Sequence, residues 1–211
     1  MHESSYGIGS AHEDFVRDEF YMKVNRIFEL MEKQKTSVPK ALCHRDLWRN
    51  NFMFRNNDND MAETECILLD FQNCRYLSIT VDVIMCIFLN CSPANRRKYT
   101  DEYLLCYFDQ LKREFLKDGL EIDSIVSWLD FLASYEELQL VGLISRAVYA
   151  TLADISPNVF RRLNATDELK YQYIMNENRD SFVLEYMQRD ETYKSSMIEK
   201  AEELVEFILK N

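Results

Sequence analysis

Glycine and proline are scarce in this chain of 211 residues, which has only 4 Gly and 3 Pro. Their scarcity excludes a collagen-like or low-complexity chain and disfavours a turn-rich all-β protein. Hydrophobic residues make up 47% of the chain, an ordinary share for a globular protein that buries a core. We therefore expect a mostly helical protein.

Positive charge is also in short supply, because 25 Lys and Arg face 36 Asp and Glu, for a net charge of −11. An acidic surface repels phosphate backbones and anionic headgroups, so we expect neither a nucleic acid nor a membrane as partner. The longest apolar run, at 81–89, contains Asp82 and is too short to span a bilayer.

The cysteine pattern and the first residues favour a cytoplasmic protein. The chain has 6 Cys, an even number that disulfides would also suit, but no two of them stand in a C-x-x-C motif. Residues 1–4 lack the basic and apolar segments that open a secretory signal peptide. Reduced thiols and a cytoplasmic location are the expectation.

The first 78 residues predict one helix followed by a hairpin. A capping box at 10–13 and apolar residues at helical spacing predict an amphipathic helix that ends before Pro39. Short apolar runs at 52–54 and 66–69 flank an Asn/Asp-rich tract, which predicts a β-hairpin with a polar tip at 55–60.

From Thr80 onward the apolar pattern is helical to the end of the chain. Candidate N-caps are Thr80, Ser92 before a proline, Asp123 and Thr166, and a last helix is expected to begin near 191. Gly119 is expected to end the helix that Ser92 begins. We predict a single α+β, mostly helical domain over 1–211, with a tail and a packing helix at 1–40, a loop and hairpin at 41–78, and a helical subdomain at 79–211.

The segment from His44 to Asn51 carries the most specific chemical signal. It reads H-R-D-L-x-x-x-N, and Asp70 follows an apolar run after the hairpin tip. Phosphoryl transfer to a hydroxyl requires such groups, because one carboxylate accepts the hydroxyl proton while hard oxygen ligands hold Mg²⁺ on the ATP phosphates. Each residue alone is a weak signal, since each also suits a cap, a turn or a core position.

These motifs resemble the ecdysteroid kinase-like family of insects and nematodes, which is related to choline and aminoglycoside kinases. The pattern H-G-D-L-W-x-x-N of that family is matched from His44 to Asn51, except that Arg45 replaces the glycine. The family's D-F-Q is matched at 70–72, whereas a protein kinase would have D-F-G, a later A-P-E, and a lysine where Trp48 stands.

The resemblance implies a role for each motif residue. Asp46 would be the catalytic base, Asn51 and Asp70 would bind Mg²⁺ and thereby ATP, and His44 and Asp82 would support the catalytic loop. A physical argument also favours a structural role for Asp82, because a carboxylate within an apolar helix needs hydrogen-bond partners. The alternative is that Asp82 is simply a first-turn acid favoured by the helix dipole.

The resemblance covers the C-terminal lobe of a kinase-like fold, and we expect the N-lobe to be absent from this chain. No Gly-rich loop or strand lysine precedes His44. The implied activity is ATP-dependent phosphoryl transfer to a hydroxyl of a small substrate, such as an ecdysteroid or another lipophilic alcohol. The alternative is a non-catalytic kinase-like binding module, with a protein partner covering the face that an N-lobe would occupy.

Overall fold

The computed structural model describes residues 13–18, 20–25, 27–32, 38–57 and 60–210. Its helices are Glu13–Asp18 (α1), Phe20–Asn25 (α2), Ile27–Glu32 (α3), Thr80–Asn90 (α4), Pro93–Lys117 (α5), Trp128–Ala153 (α6), Pro157–Thr166 (α7), Glu168–Asn176 (α8), Asp180–Arg189 (α9) and Glu191–Lys210 (α10). Its strands are Lys40–Cys43 (β1), Phe52–Asn57 (β2), Asp60–Leu68 (β3) and Arg75–Ser78 (β4). The expectation of a mostly helical α+β chain is confirmed.

The strands form two separate antiparallel pairs. β2 pairs with β3 as the predicted hairpin, with Phe52 opposite Leu68. Its strands extend further into the Asn/Asp tract than the sequence predicted, and residues 58–59 lie outside the described ranges. β1 pairs with β4, with Leu42 opposite Tyr76, and this second pair was not predicted. Residues 44–51 connect β1 to β2 and residues 69–74 connect β3 to β4, so most motif residues lie in the connections between the two pairs.

The N-terminal helical segments fall where the sequence predicted one helix. Helices α1, α2 and α3 cover most of 13–32, and α3 packs against β4. The predicted capping box at 10–13 lies outside the described residues except for Glu13, which begins α1.

Helix α5 begins and ends at the predicted residues. The hydroxyl of Ser92 accepts a hydrogen bond from the Asn95 amide at 3.2 Å, and Pro93 opens the helix. Gly119 has φ +72°, which a residue without Cβ adopts at little cost. The amides of Gly119 and Leu120 donate to carbonyls of the last turn, which is the Schellman arrangement.

Three of the predicted N-caps do not cap the helices assigned to them. Thr80 is the first residue of α4 rather than its cap, and its hydroxyl is bonded inside the core. Asp123 lies in a 3-10 turn, whereas the Ser127 hydroxyl caps α6 by accepting from the Asp130 amide at 3.1 Å. Thr166 is the last residue of α7.

Residue 167, the neighbour of Thr166, provides the cap that begins the next helix. The Asp167 carboxylate accepts from the Lys170 amide at 3.0 Å and so begins α8. The last helix, α10, begins at Glu191 as predicted.

The described residues form two compact units, one within Asn25–Ser145 and one within Met1–Val24 together with Arg146–Asn211. In the first unit, α4 and α6 supply fully buried core residues, among them Val81, Ile84 and Phe131. All the motif residues belong to this unit. The division of a single domain at residues 40 and 78 stays a prediction.

The second unit has its own partly buried contacts. The Tyr193 hydroxyl donates to the Thr151 carbonyl at 3.0 Å, and the Arg146 guanidinium pairs with the Glu203 carboxylate at 2.6 Å. Across the described ranges no one helix has the length and apolar composition to cross a membrane, although α6 and α7 together satisfy both criteria as a bent pair.

Candidate functional site

The motif residues from His44 to Asn51 lie on a tight loop between β1 and β2. The Trp48 amide donates to the Asp46 carbonyl at 3.1 Å, and the Asn51 amide donates to the Trp48 carbonyl at 2.9 Å. A 3-10 turn at Arg49–Asn51 leads directly into β2. The loop is therefore closed by its own backbone before the hairpin begins. We call residues 44–51 the catalytic loop, after the kinase motif that they resemble.

Asp46 and Asn51 contact each other directly within this loop. The Asn51 Nδ2 donates to the Asp46 Oδ2 at 2.9 Å and also to the Asp46 carbonyl at 2.9 Å. Both residues are buried, with exposed fractions of 7% and 6%. These bonds fix the orientation of both side chains, because the two donor hydrogens of the amide point at one residue.

The amide oxygen of Asn51 is left for another ligand. Among the described residues, none donates a hydrogen bond to the Asn51 Oδ1. Within the described part of the chain, no buried side-chain nitrogen or oxygen lacks a partner. It follows that Oδ1 reaches solvent, where a hard cation could bind it.

Asp70 lies immediately beside the catalytic loop in the fold. The amide of its neighbour Leu69 donates to the Asn51 carbonyl at 2.9 Å. Asp70 itself is exposed and has a left-handed backbone, with φ 64° and ψ 68°. Its Oδ2 accepts from the Gln72 Nε2 at 3.3 Å, and no described residue forms an ion pair with the carboxylate.

His44 ties the loop to the segment that carries Asp70. Its Nδ1 accepts from the Asp46 amide at 3.3 Å, which assigns the ring proton to Nε2. That nitrogen then donates to the Leu69 carbonyl at 2.8 Å. The ring also packs on Phe71, with centroids 4.7 Å apart. His44 thus connects Asp46 with the residues on either side of Asp70.

Asp82 holds the start of the loop from the first turn of α4. Its Oδ2 accepts from the His44 amide at 2.7 Å, and its Oδ1 accepts from the Arg45 amide at 2.8 Å. Arg45 has φ 66°, a conformation that suits the glycine found there in the family pattern. The Asp82 carboxylate therefore stabilises the strained turn that immediately precedes Asp46.

The region behind this turn is shielded from water. The Cys43 thiol donates to the Ser78 carbonyl at 3.2 Å. Burial, reinforced by the negative charge of Asp82, raises the pKa of Cys43 to about 12. Burial is also the main reason that the pKa of Tyr107 is raised to about 12. Cys43, which precedes the turn, therefore belongs to the buried core.

Two contacts of this site carried no signal in the sequence. The hydroxyl of Thr80 lies 2.6 Å from that of Ser134 and 2.8 Å from that of Ser78, which links α4, α6 and β4 inside the core. Asn90, at the end of α4, donates from Nδ2 to the Leu47 carbonyl at 2.8 Å. Serine, threonine and asparagine are common near helix ends because they form local hydrogen bonds with the backbone, so the sequence did not indicate these distant contacts.

The donor set fits Mg²⁺. Asn51 Oδ1 and the carboxylate of Asp70 are both hard oxygen ligands, and no cationic side chain pairs with either of them in the described part of the chain. Among the described residues, no group of three His, Cys, Asp or Glu side chains forms a complete metal site. A Mg²⁺ bound through these two residues would complete its shell with water and substrate phosphates.

Comparison with known proteins points to one family. An uncharacterized kinase-like protein of Caenorhabditis elegans is 29% identical over 84 residues, which is 40% of this chain and 21% of that protein. The aligned region thus spans about a fifth of the relative's length. No solved structure matches the chain significantly. The model of the ecdysteroid kinase-like family matches residues 3–119, which is more than half of the sequence. This chain is a kinase-like protein and belongs to the ecdysteroid kinase-like family.

Proposed function

We propose that this chain is the C-terminal lobe of an ATP-dependent small-molecule kinase. The reaction would transfer the γ-phosphoryl group of ATP to a hydroxyl of a small lipophilic alcohol, such as an ecdysteroid. The observation that supports it best is the network in which Asn51 bonds both Asp46 and Leu69, the residue before Asp70. Phosphoryl transfer depends on holding such groups in fixed positions.

Asp46 is the proposed catalytic base. Its carboxylate is held by the Asn51 amide, so it would accept the proton of the acceptor hydroxyl as the oxygen forms its bond to phosphorus. The β–γ phosphate bond breaks and ADP leaves. Asn51 Oδ1 and Asp70 would hold Mg²⁺, which neutralises charge on the phosphates when bound.

A non-catalytic binding module is the second candidate, and one observation favours it. The two strand pairs present apolar cross-strand neighbours to solvent: Leu42 and Tyr76 are 73% and 68% exposed, and Met53 and Ile67 are 55% and 46% exposed. Exposed apolar groups of this kind are typical of surfaces that bind another protein. In this candidate the lobe would bind a partner without transferring phosphate.

Calorimetric titration with Mg²⁺ and ATP tests the first candidate. We expect binding by the wild-type chain, and at least about tenfold weaker binding by Asp70→Asn because a neutral amide is a poorer Mg²⁺ ligand. The control is Asp109→Asn, which removes the same charge from an exposed position of α5. Equal affinities of the two variants would refute the assigned role of Asp70.

The same titration separates the two candidates. A folded wild-type chain that binds no Mg²⁺–ATP would contradict the kinase proposal and favour the binding module. Product formation from ATP and a panel of lipophilic alcohols, followed by mass spectrometry of the phosphorylated alcohol, would then test the acceptor class. A chain that binds Mg²⁺–ATP but phosphorylates only polar amino alcohols would contradict the lipophilic acceptor.

A further inference from the structure

Helix α4 contacts the catalytic loop at both of its ends. At the first turn, Asp82 accepts hydrogen bonds from the amides of His44 and Arg45. At the last residue, the Asn90 Nδ2 donates to the carbonyl of Leu47 at 2.8 Å. Asn90 follows Asp82 by eight positions, which corresponds to a rise of about 12 Å along the helix. The two contacts therefore hold the loop from two well-separated positions on α4.

These contacts bracket Asp46 in the sequence. The amides that Asp82 holds belong to the two residues before Asp46, and the carbonyl that Asn90 holds belongs to the residue after it. A backbone fixed on one side of a residue can still rotate about its φ and ψ angles. Fixing it on both sides to one rigid element leaves the direction of the side chain with little freedom.

Helix α4 is rigid enough to serve as that element. Most of its residues are buried, and Val81 and Ile84 are fully so. Helix α6 crosses it closely, since a Cβ added at Gly142 would come within 2.6 Å of the Phe88 ring. The buried hydroxyls of Thr80 and Ser134 join the two helices as well.

We infer that Asn90 is a positioning residue, which holds the carbonyl after Asp46 so that α4 sets the direction of the Asp46 carboxylate. This role rests on the proposed function of Asp46 as the base. Asn90 also donates to the Cys86 carbonyl at 2.8 Å, one turn back in α4. Its contribution to the helix end must therefore be separated from its contribution to the loop.

Two substitutions make that separation. Asn90→Ala removes both hydrogen bonds. Asn90→Ser keeps a hydroxyl that bonds the carbonyl four residues back, but it is too short to reach Leu47. Asn90 is exposed, so neither change opens a cavity in the core. The matched control is Asn176→Ala, since Asn176 is the last residue of α8 and its Nδ2 bonds the Gln172 side chain within its own helix at 2.9 Å.

Amide hydrogen exchange distinguishes the contribution of Asn90 to the loop from its contribution to the helix end. The Trp48 and Asn51 amides close the catalytic loop, whereas the Cys91 amide donates to the Ile87 carbonyl at the end of α4. We expect both Asn90 variants to speed exchange at Trp48 and Asn51 by about fivefold, the equivalent of one lost hydrogen bond. Asn90→Ser should leave exchange at Cys91 unchanged, and Asn176→Ala should leave the loop unchanged.

Kinetics supply a second readout that a purely structural role would not move. With phosphoryl transfer measured at saturating acceptor, we expect kcat to fall in both Asn90 variants while KM for ATP stays within about twofold, because Asp46 acts on the acceptor. The Asn176→Ala variant should keep both parameters.

The inference is overturned if Asn90→Ser restores wild-type exchange at Trp48 and Asn51, because the Leu47 contact would then be unnecessary. It is equally overturned if only the Cys91 amide responds. A wild-type chain that fails to bind Mg²⁺–ATP would instead refute the proposed function. In that case the exchange data still decide whether Asn90 positions the loop.

Discussion

Replacing Asp82 by asparagine tests the central contact of the site. The carboxylate accepts two hydrogen bonds from backbone amides, at 2.7 Å and 2.8 Å. Asparagine keeps one acceptor oxygen but turns an NH₂ group toward the other amide. One charge-assisted bond is lost and the other becomes neutral, so Asp82→Asn should cost about 2–4 kcal/mol of unfolding free energy.

A control separates this effect from the helix dipole. Asp130 is also in the first turn of a helix, and its Oδ2 accepts from the Ser127 hydroxyl at 2.6 Å. Asn at 130 can still accept that bond, so Asp130→Asn loses only the interaction of the charge with the dipole, worth about 0.3–1 kcal/mol.

Urea unfolding followed by tryptophan fluorescence measures both variants. Both tryptophans of the chain, Trp48 and Trp128, lie within the unit Asn25–Ser145, so the signal reports the unit that contains the site. If Asp82→Asn and Asp130→Asn lose the same unfolding free energy within about 0.5 kcal/mol, Asp82 does not hold the loop. It would then be only a first-turn acid favoured by the helix dipole.

Two further predictions concern neighbours of the same turn. Arg45 has φ 66°, a left-handed conformation that favours glycine and disfavours a β-branched residue. In urea unfolding, Arg45→Gly should therefore stabilise the chain by up to about 1 kcal/mol, whereas Arg45→Val should destabilise it. The reverse order of stabilities would contradict backbone strain at this position. Burial raises the pKa of the Cys43 thiol from 9.0 to about 12, so its contribution to stability should be intact below pH 9 and fall as the pH rises toward 12. The loss of stability between pH 9 and pH 12 should be smaller in Cys43→Ser, because serine does not titrate in that range. Identical pH profiles of the urea midpoint for the wild type and this variant would contradict the role of the thiol.

Local features of the fold were predictable from the sequence because they depend on near neighbours. Ser92 caps α5 through an amide three residues away, and Gly119 ends it through its own backbone freedom. The hairpin followed from two apolar runs on either side of a polar tract. The same local reasoning failed at Thr80, because the hydroxyl of Ser134, far along the chain, competes for the group that would have served as a cap.

The sequence by itself determined the family, the mostly helical composition and the candidate residues Asp46, Asn51 and Asp70, because the spacing of a motif is a property of the chain. The tertiary structure alone decided how the loop is held. The pairing of β1 with β4 and the contact of Asn90 with Leu47 both join segments that are distant in sequence. Such contacts form only when the folded chain brings their donors and acceptors together, so no local pattern encodes them.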